Sequence, residues 1–159
     1  MHRILFILTI IFTPLMANAQ SVAPRDGWMV LPTQFSYDQL VKRTRSAISK
    51  APIGIVTQAS ATVGAKGQGI NIPGNIVLGV YRNDYARRML AASVAAGIEA
   101  PIRLYVTENA DNTATLSYKT ASTVFAPYMD EGGKELRDLA QELDKVLLNI
   151  AQKAAPAPQ

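Results

Sequence analysis

Cysteine is absent from all 159 residues, and the single histidine is His2. The first absence excludes thiol nucleophiles, disulfides and cysteine-held metals. No hydrophobic run is long either. The longest, residues 4–15, is broken by Thr9, Thr13 and Pro14 and falls short of the ~20 residues a membrane-spanning helix needs. Charge of one sign is also scarce. Sixteen basic residues against twelve acidic ones leave +4 at pH 7, too mild a surplus to argue for nucleic acid. What remains is 48 % hydrophobic and 18 % charged, ordinary for a folded domain, in a length that one core serves.

The first nineteen residues read as an export signal. His2 and Arg3 give a positive start, the apolar run follows, and Ala17-Asn18-Ala19 puts small residues where a signal peptidase reads them. The chain therefore divides into a signal (1–19), a lead-in (20–27), a single domain (28–153) and an unstructured tail (154–159). The expected location is bacterial periplasm or exterior, with no stable membrane insertion after cleavage. No cysteine follows the cleavage site to carry a lipid. Removal of His2 leaves neither imidazole nor thiol, so a Ser–His–acid triad, histidine zinc sites and haem ligation by His or Cys all lose a required group. No cofactor, metal or catalytic residue is assigned.

Hydrophobic periodicity gives the order β-α-β-β-α-β-β-α, an α+β domain with an antiparallel-rich or mixed sheet and helices on one face. Residues 28–33 form a first strand, in which Pro32 marks an edge or a strand end. Ser36 and Gln39 make a capping box between the staple residues Phe35 and Leu40, and Leu40, Thr44, Ala47 and Ile48 mark the buried face of the helix that follows. Pro52 ends it. Residues 53–59 are a β-branched strand, and 62–74, with four glycines and Pro73, a loop. Residues 75–82 form an interior strand. Asn83 or Asp84 then caps a helix that buries Ala86, Met89, Leu90 and Val94 and stops at Gly97. Residues 102–108 and 113–119 form a hairpin. A three-residue turn, Ala110-Asp111-Asn112, pairs Val106 with Leu116 and Leu104 with Tyr118, with Asn112 left-handed; a two-residue turn would scramble the faces. The last helix, about 132–151, carries a stripe from Leu136 to Ile150 that packs on the sheet.

In this order, Phe35-Ser36, Val77-Leu78-Gly79-Val80 leading into Asn83, Tyr85-Ala86, Ala100-Pro101-Ile102-Arg103-Leu104-Tyr105-Val106 and Leu116-Ser117-Tyr118 resemble the family catalogued as domain of unknown function 302. The resemblance covers about residues 35–129. It implies an α+β fold grouped with TATA-binding-protein-like domains, a grouping that does not imply DNA binding, and it brings no established reaction. Where many relatives carry cysteine or histidine this chain reads Tyr81-Arg82-Asn83 and Ser60-Ala61-Thr62, so a metal or redox role does not transfer.

Two places invite a ligand. At Arg82-Asn83 a strand meets a helix N-terminus, an anion site in principle, beside the plainer reading that Asn83 or Asp84 fills it as a cap. On the hairpin, Arg103, Tyr105, Ser117 and Lys119 share one face. Arg103 falls opposite Lys119, a like-charge pair that an anion between them would relieve, unless the two side chains bend apart into water. The run Gly64-Ala65-Lys66-Gly67-Gln68-Gly69 lacks the Gly-Lys-Ser/Thr ending of a phosphate loop, and Glu108, Asp111 and Asn112 lack calcium-loop spacing. The expectation is a non-catalytic domain binding a small molecule, an anion among the candidates, or a protein partner, with a homodimer through a strand edge open. The alternative is an enzyme using carboxylate, Tyr, Lys or Arg chemistry, for which Glu108 or Asp84 would need a pocket and a raised pKa.

Overall fold

The computed structural model describes residues 21–157. The expected signal, residues 1–19, and the last two residues of the expected tail lie outside them. In chain order the elements are β1 (Trp28–Pro32), α1 (Tyr37–Ser49), β2 (Gly54–Ala59), α2 (Ala61–Lys66), β3 (Asn75–Tyr81), α3 (Asn83–Ala92), a 3₁₀ segment (Ala95–Glu99), β4 (Ile102–Glu108), β5 (Ala114–Lys119), α4 (Ala121–Phe125), a 3₁₀ turn (Ala126–Tyr128) and α5 (Met129–Ala154). The five strands form one sheet in the order β1-β5-β4-β3-β2, and every pairing is antiparallel.

Local chemistry sets the best-anticipated elements. The Ser36 hydroxyl accepts the Gln39 N–H at 3.4 Å, and the Ser36 N–H donates to Gln39 Oε1 at 3.0 Å. These bonds satisfy two groups at the start of α1, which buries Leu40, Thr44, Ala47 and Ile48. The hairpin pairs Val106 with Leu116 and Leu104 with Tyr118. Asn112 takes φ 63°, and the Asn109 N–H closes the turn on the Thr113 carbonyl at 2.8 Å. Alternation along the strands then puts Leu78, Leu104 and Leu116 on one face, where all are buried. Helix α5 packs against α1, α3 and α4, and α1 packs against β4 and β5.

Several expectations need correction. The segment 62–74 is not all loop: the Ser60 hydroxyl accepts the Val63 N–H at 3.2 Å and starts α2. Neither Asn83 nor Asp84 caps α3; Arg82 holds the cap position without a side-chain cap bond, because Asp84 is engaged by the Arg82 guanidinium. That helix ends at Ala92 rather than Gly97, which leaves Val94 beyond it and exposed; within it the buried face is Tyr85, Ala86 and Met89, and Leu90 is exposed. The stretch after β5 holds α4, whose N-terminus receives a carboxylate from α5: Asp144 Oδ1 accepts the Ala121 N–H at 2.6 Å. Helix α5 runs on to Ala154, and Ala154 and Ala155, expected in the tail, are buried. Arg43, off the buried face of α1, donates to the Ala154 and Lys153 carbonyls at 2.7 and 3.2 Å and closes the end of α5. Among the described residues no helix is long and apolar enough to cross a membrane.

Tyr118, on the helix-covered face of β5, reports the polarity of this core. Burial, with the charge of Asp144 adding to it, pushes its phenol up to about 12. The fold favours the neutral phenol, so this contribution is complete below pH 10 and is lost as pH rises through about 12. Stability should fall by about 1.4 kcal/mol per pH unit more steeply across that window than in Tyr118→Phe, as read by urea unfolding at stepped pH. Parallel slopes for the two proteins would contradict the assignment.

Candidate functional site

The sheet face turned away from the helices is only partly covered, and its register lines side chains into rows. Trp28 pairs with Lys119, Arg103 with Gly79, and Gly79 with Thr57, so one row crosses all five strands near the end of the sheet. The next row is Val30, Ser117, Tyr105, Val77 and Ala59. In the hairpin register Lys119 and Arg103 are the next residues beyond the pair Leu104–Tyr118, as the sequence indicated.

A cavity of about 310 Å³ opens at this end of the face. Trp28, Tyr105 and Val77 give it apolar and aromatic walls, Lys119 and Arg103 give it positive charge, and Val124 of α4 and Glu99 of the 3₁₀ segment close its end. The Lys119 ammonium stands 5.7 Å from the centroid of the Trp28 ring, and the Arg25 guanidinium stands 5.1 Å from the same ring. Lys119 thus leans towards β1. Glu99 accepts a 2.9 Å hydrogen bond from the Tyr128 hydroxyl. Among the described residues neither Arg103 nor Lys119 makes an ion pair, whereas Arg82, Arg88 and Lys134 are joined to Asp84, Glu142 and Asp138.

The other expected site residues fare differently. Ser117 sits between Val30 and Tyr105 but is wholly buried, and its hydroxyl has no hydrogen-bond partner. It does not line the cavity. Arg82 lies elsewhere, near the start of α3. Its guanidinium grips both oxygens of Asp84 at 2.5 Å, donates to the Pro52 carbonyl at 3.2 Å and stacks 4.4 Å from the centre of the Tyr85 ring. Those partners hold Arg82 at the start of α3, and neither it nor the exposed Asn83 lines the cavity of the hairpin cations. Nor do the two carboxylates singled out for acid–base work stand in the cavity. Asp84 is held below the usual carboxylate range by Arg82, and Glu108 Oε2 accepts the Gly74 N–H at 2.6 Å.

Comparison with known families settles the lineage. Residues 29–154 match the family described as domain of unknown function DUF302. The chain belongs to that family. A solved DUF302 structure, the crystal structure of an uncharacterised conserved protein from Bacillus stearothermophilus, superposes with a TM-score of 0.70 at 16 % identity, over 82 % of this chain and 99 % of the other. At that identity the likeness shows a common fold. A search of curated proteins gave no match.

Within the DUF302 match fall Val77, Glu99, Arg103, Tyr105, Lys119 and Val124, while Trp28 lies one residue before it. Sequence reasoning had Arg103, Tyr105 and Lys119 from the hairpin alternation. It missed Trp28 and Glu99. Trp28 is the only tryptophan and sits on the same face as Val30 in an alternating edge strand, a signal that was available. Glu99 gave none, because only the 3₁₀ segment after α3 carries it to the sheet.

Proposed function

We propose that this DUF302 protein is an exported, non-catalytic binding protein for a small organic anion held in the cavity beside Trp28. The observation that carries the reading is the placement of Arg103 and Lys119, two cations without acid partners among the described residues, beside an aromatic-walled cavity. A guanidinium takes a carboxylate or sulfonate through paired N–H donors, and an ammonium adds a second charge. The aromatic walls supply apolar area for the remainder of the molecule. Glu99 sits on the same wall and sets a limit on how much negative charge the cavity accepts. Export rests on the His2-to-Ala19 pattern, and intact-mass analysis of the native product should find it starting at Gln20.

Titration with benzoate, followed through the emission of Trp28 and by thermal shift, should show saturable binding and a raised melting temperature. Arg103→Ala and Lys119→Ala should each weaken it by roughly tenfold, the loss of one charge-assisted bond. Without ligand, Arg103→Ala should leave stability within about 0.5 kcal/mol, as an exposed side chain with no partner. Glu99→Gln should tighten binding. No saturation with benzoate or any anion of a small carboxylate and sulfonate panel, or binding indifferent to Arg103, would refute the reading.

A further inference from the structure

The cavity beside Trp28 adjoins a second hollow. A groove of about 390 Å³ lies across β3 and β2, lined by Thr57, Ala59, Ile98 and Pro101, and it shares Val77, Glu99 and Arg103 with the first. Arg103 therefore stands at the junction of the two. The halves differ in chemistry. On one side lie Lys119 and the aromatic rings; on the other, the wall is Val77, Ala59, Pro101 and Ile98. Ile98 is 79 % exposed, among the most exposed large apolar side chains of the described residues. Gly79 keeps this floor close-packed: a Cβ there would overlap the Thr57 hydroxyl and come within 2.8 Å of Pro101 Cγ. From Arg103 on β4 to Thr57 on β2 is two strand spacings, ~10 Å, about the length of an eight-carbon chain.

We infer that the two hollows form one site for an amphiphilic anion, its acid group on Arg103 and Lys119 and its alkyl tail lying over Val77 towards Ile98 and Pro101. The inference rests on the anion reading above and specifies what the anion carries. Charge complementarity fixes the head, and the exposed apolar wall, which water covers at a cost, fixes the tail.

The test is a series of straight-chain carboxylates, from butyrate to decanoate, kept below their aggregation thresholds. Binding to the full chain after signal removal is read by Trp28 emission and calorimetry. Affinity should climb roughly 3–4-fold per methylene and level off near eight carbons. Ile98→Asn, uncharged and at an exposed position that leaves the core untouched, should lower octanoate affinity several-fold while benzoate binding stays unchanged. Octanol should bind far more weakly than octanoate. If affinity ignores chain length while benzoate binding still depends on Arg103, the tail site is wrong and the anion site stands. If octanol matches octanoate, or neither benzoate nor any carboxylate binds, both readings fall.

Discussion

Leu104→Ala is expected to cost about 2–5 kcal/mol of folding stability, among the largest losses from any single truncation in this chain. Leu104 lies on β4, the middle strand of five, paired with Leu78 on one side and Tyr118 on the other, and it is 0 % exposed. Removing its isobutyl group takes away buried apolar area and leaves a void between the sheet and the helices. The strands on both flanks are held by their ladders and cannot close in. The control is Leu148→Ala on α5, where the side chain is 37 % exposed and the change should stay below about 1 kcal/mol. Urea unfolding of both variants measures the difference. A loss at Leu104 no larger than that at Leu148 would mean that the sheet and helices do not meet as described.

Gly27→Ala is the second large effect, expected at about 2–5 kcal/mol, and it acts through backbone and contact together. Gly27 has φ +74°, where an alanine costs ~1–2 kcal/mol, and its added Cβ would overlap the Thr123 side chain, 2.6 Å from Cγ2, which adds ~1–3 kcal/mol. The position matters to the site because the Gly27 carbonyl accepts the Thr120 N–H at 2.9 Å. That bond fastens the start of β1, and hence Trp28, to the junction of β5 and α4. Thermal melts should show the loss, and the emission of Trp28 should shift with it. Thr123→Ala in the Gly27→Ala background should recover the contact part but leave the conformational part, so the double variant should be more stable than the sum of the singles predicts. Strict additivity would remove the overlap from the explanation.

Much of the fold was legible before any coordinates because its signals are local. The Ser36–Gln39 box, the alternation through the hairpin and the stripe on α5 each involve residues within a few positions of one another, and a register slip would have turned every apolar side chain of the hairpin to water. The errors have the opposite character. Leu90 and Val94 follow Ala86 at i+4 spacing, yet α3 turns Tyr85, Ala86 and Met89 inward and stops at Ala92, so both face solvent. Ser60 is a capping residue at a strand end, and its short helix hides within a glycine-rich stretch. Arg43 has the composition of a solvent-facing residue and instead meets carbonyls more than a hundred positions away.

Sequence by itself determined the family, the α+β order, the hairpin register and the pairing of Arg103 with Lys119 on one face, because periodicity two and three-residue turn chemistry are written in neighbouring residues. The tertiary structure alone decided which cations stay unpaired. Arg82 finds Asp84 two residues on, while Arg103 and Lys119 find no acid among the described residues. It also decided that Ser117 is buried and that Trp28, Glu99 and Ile98 meet at the end of the open face. These residues come from β5, β1 and the 3₁₀ segment, and what joins them is the order in which the strands assemble, a long-range property that no window along the chain contains.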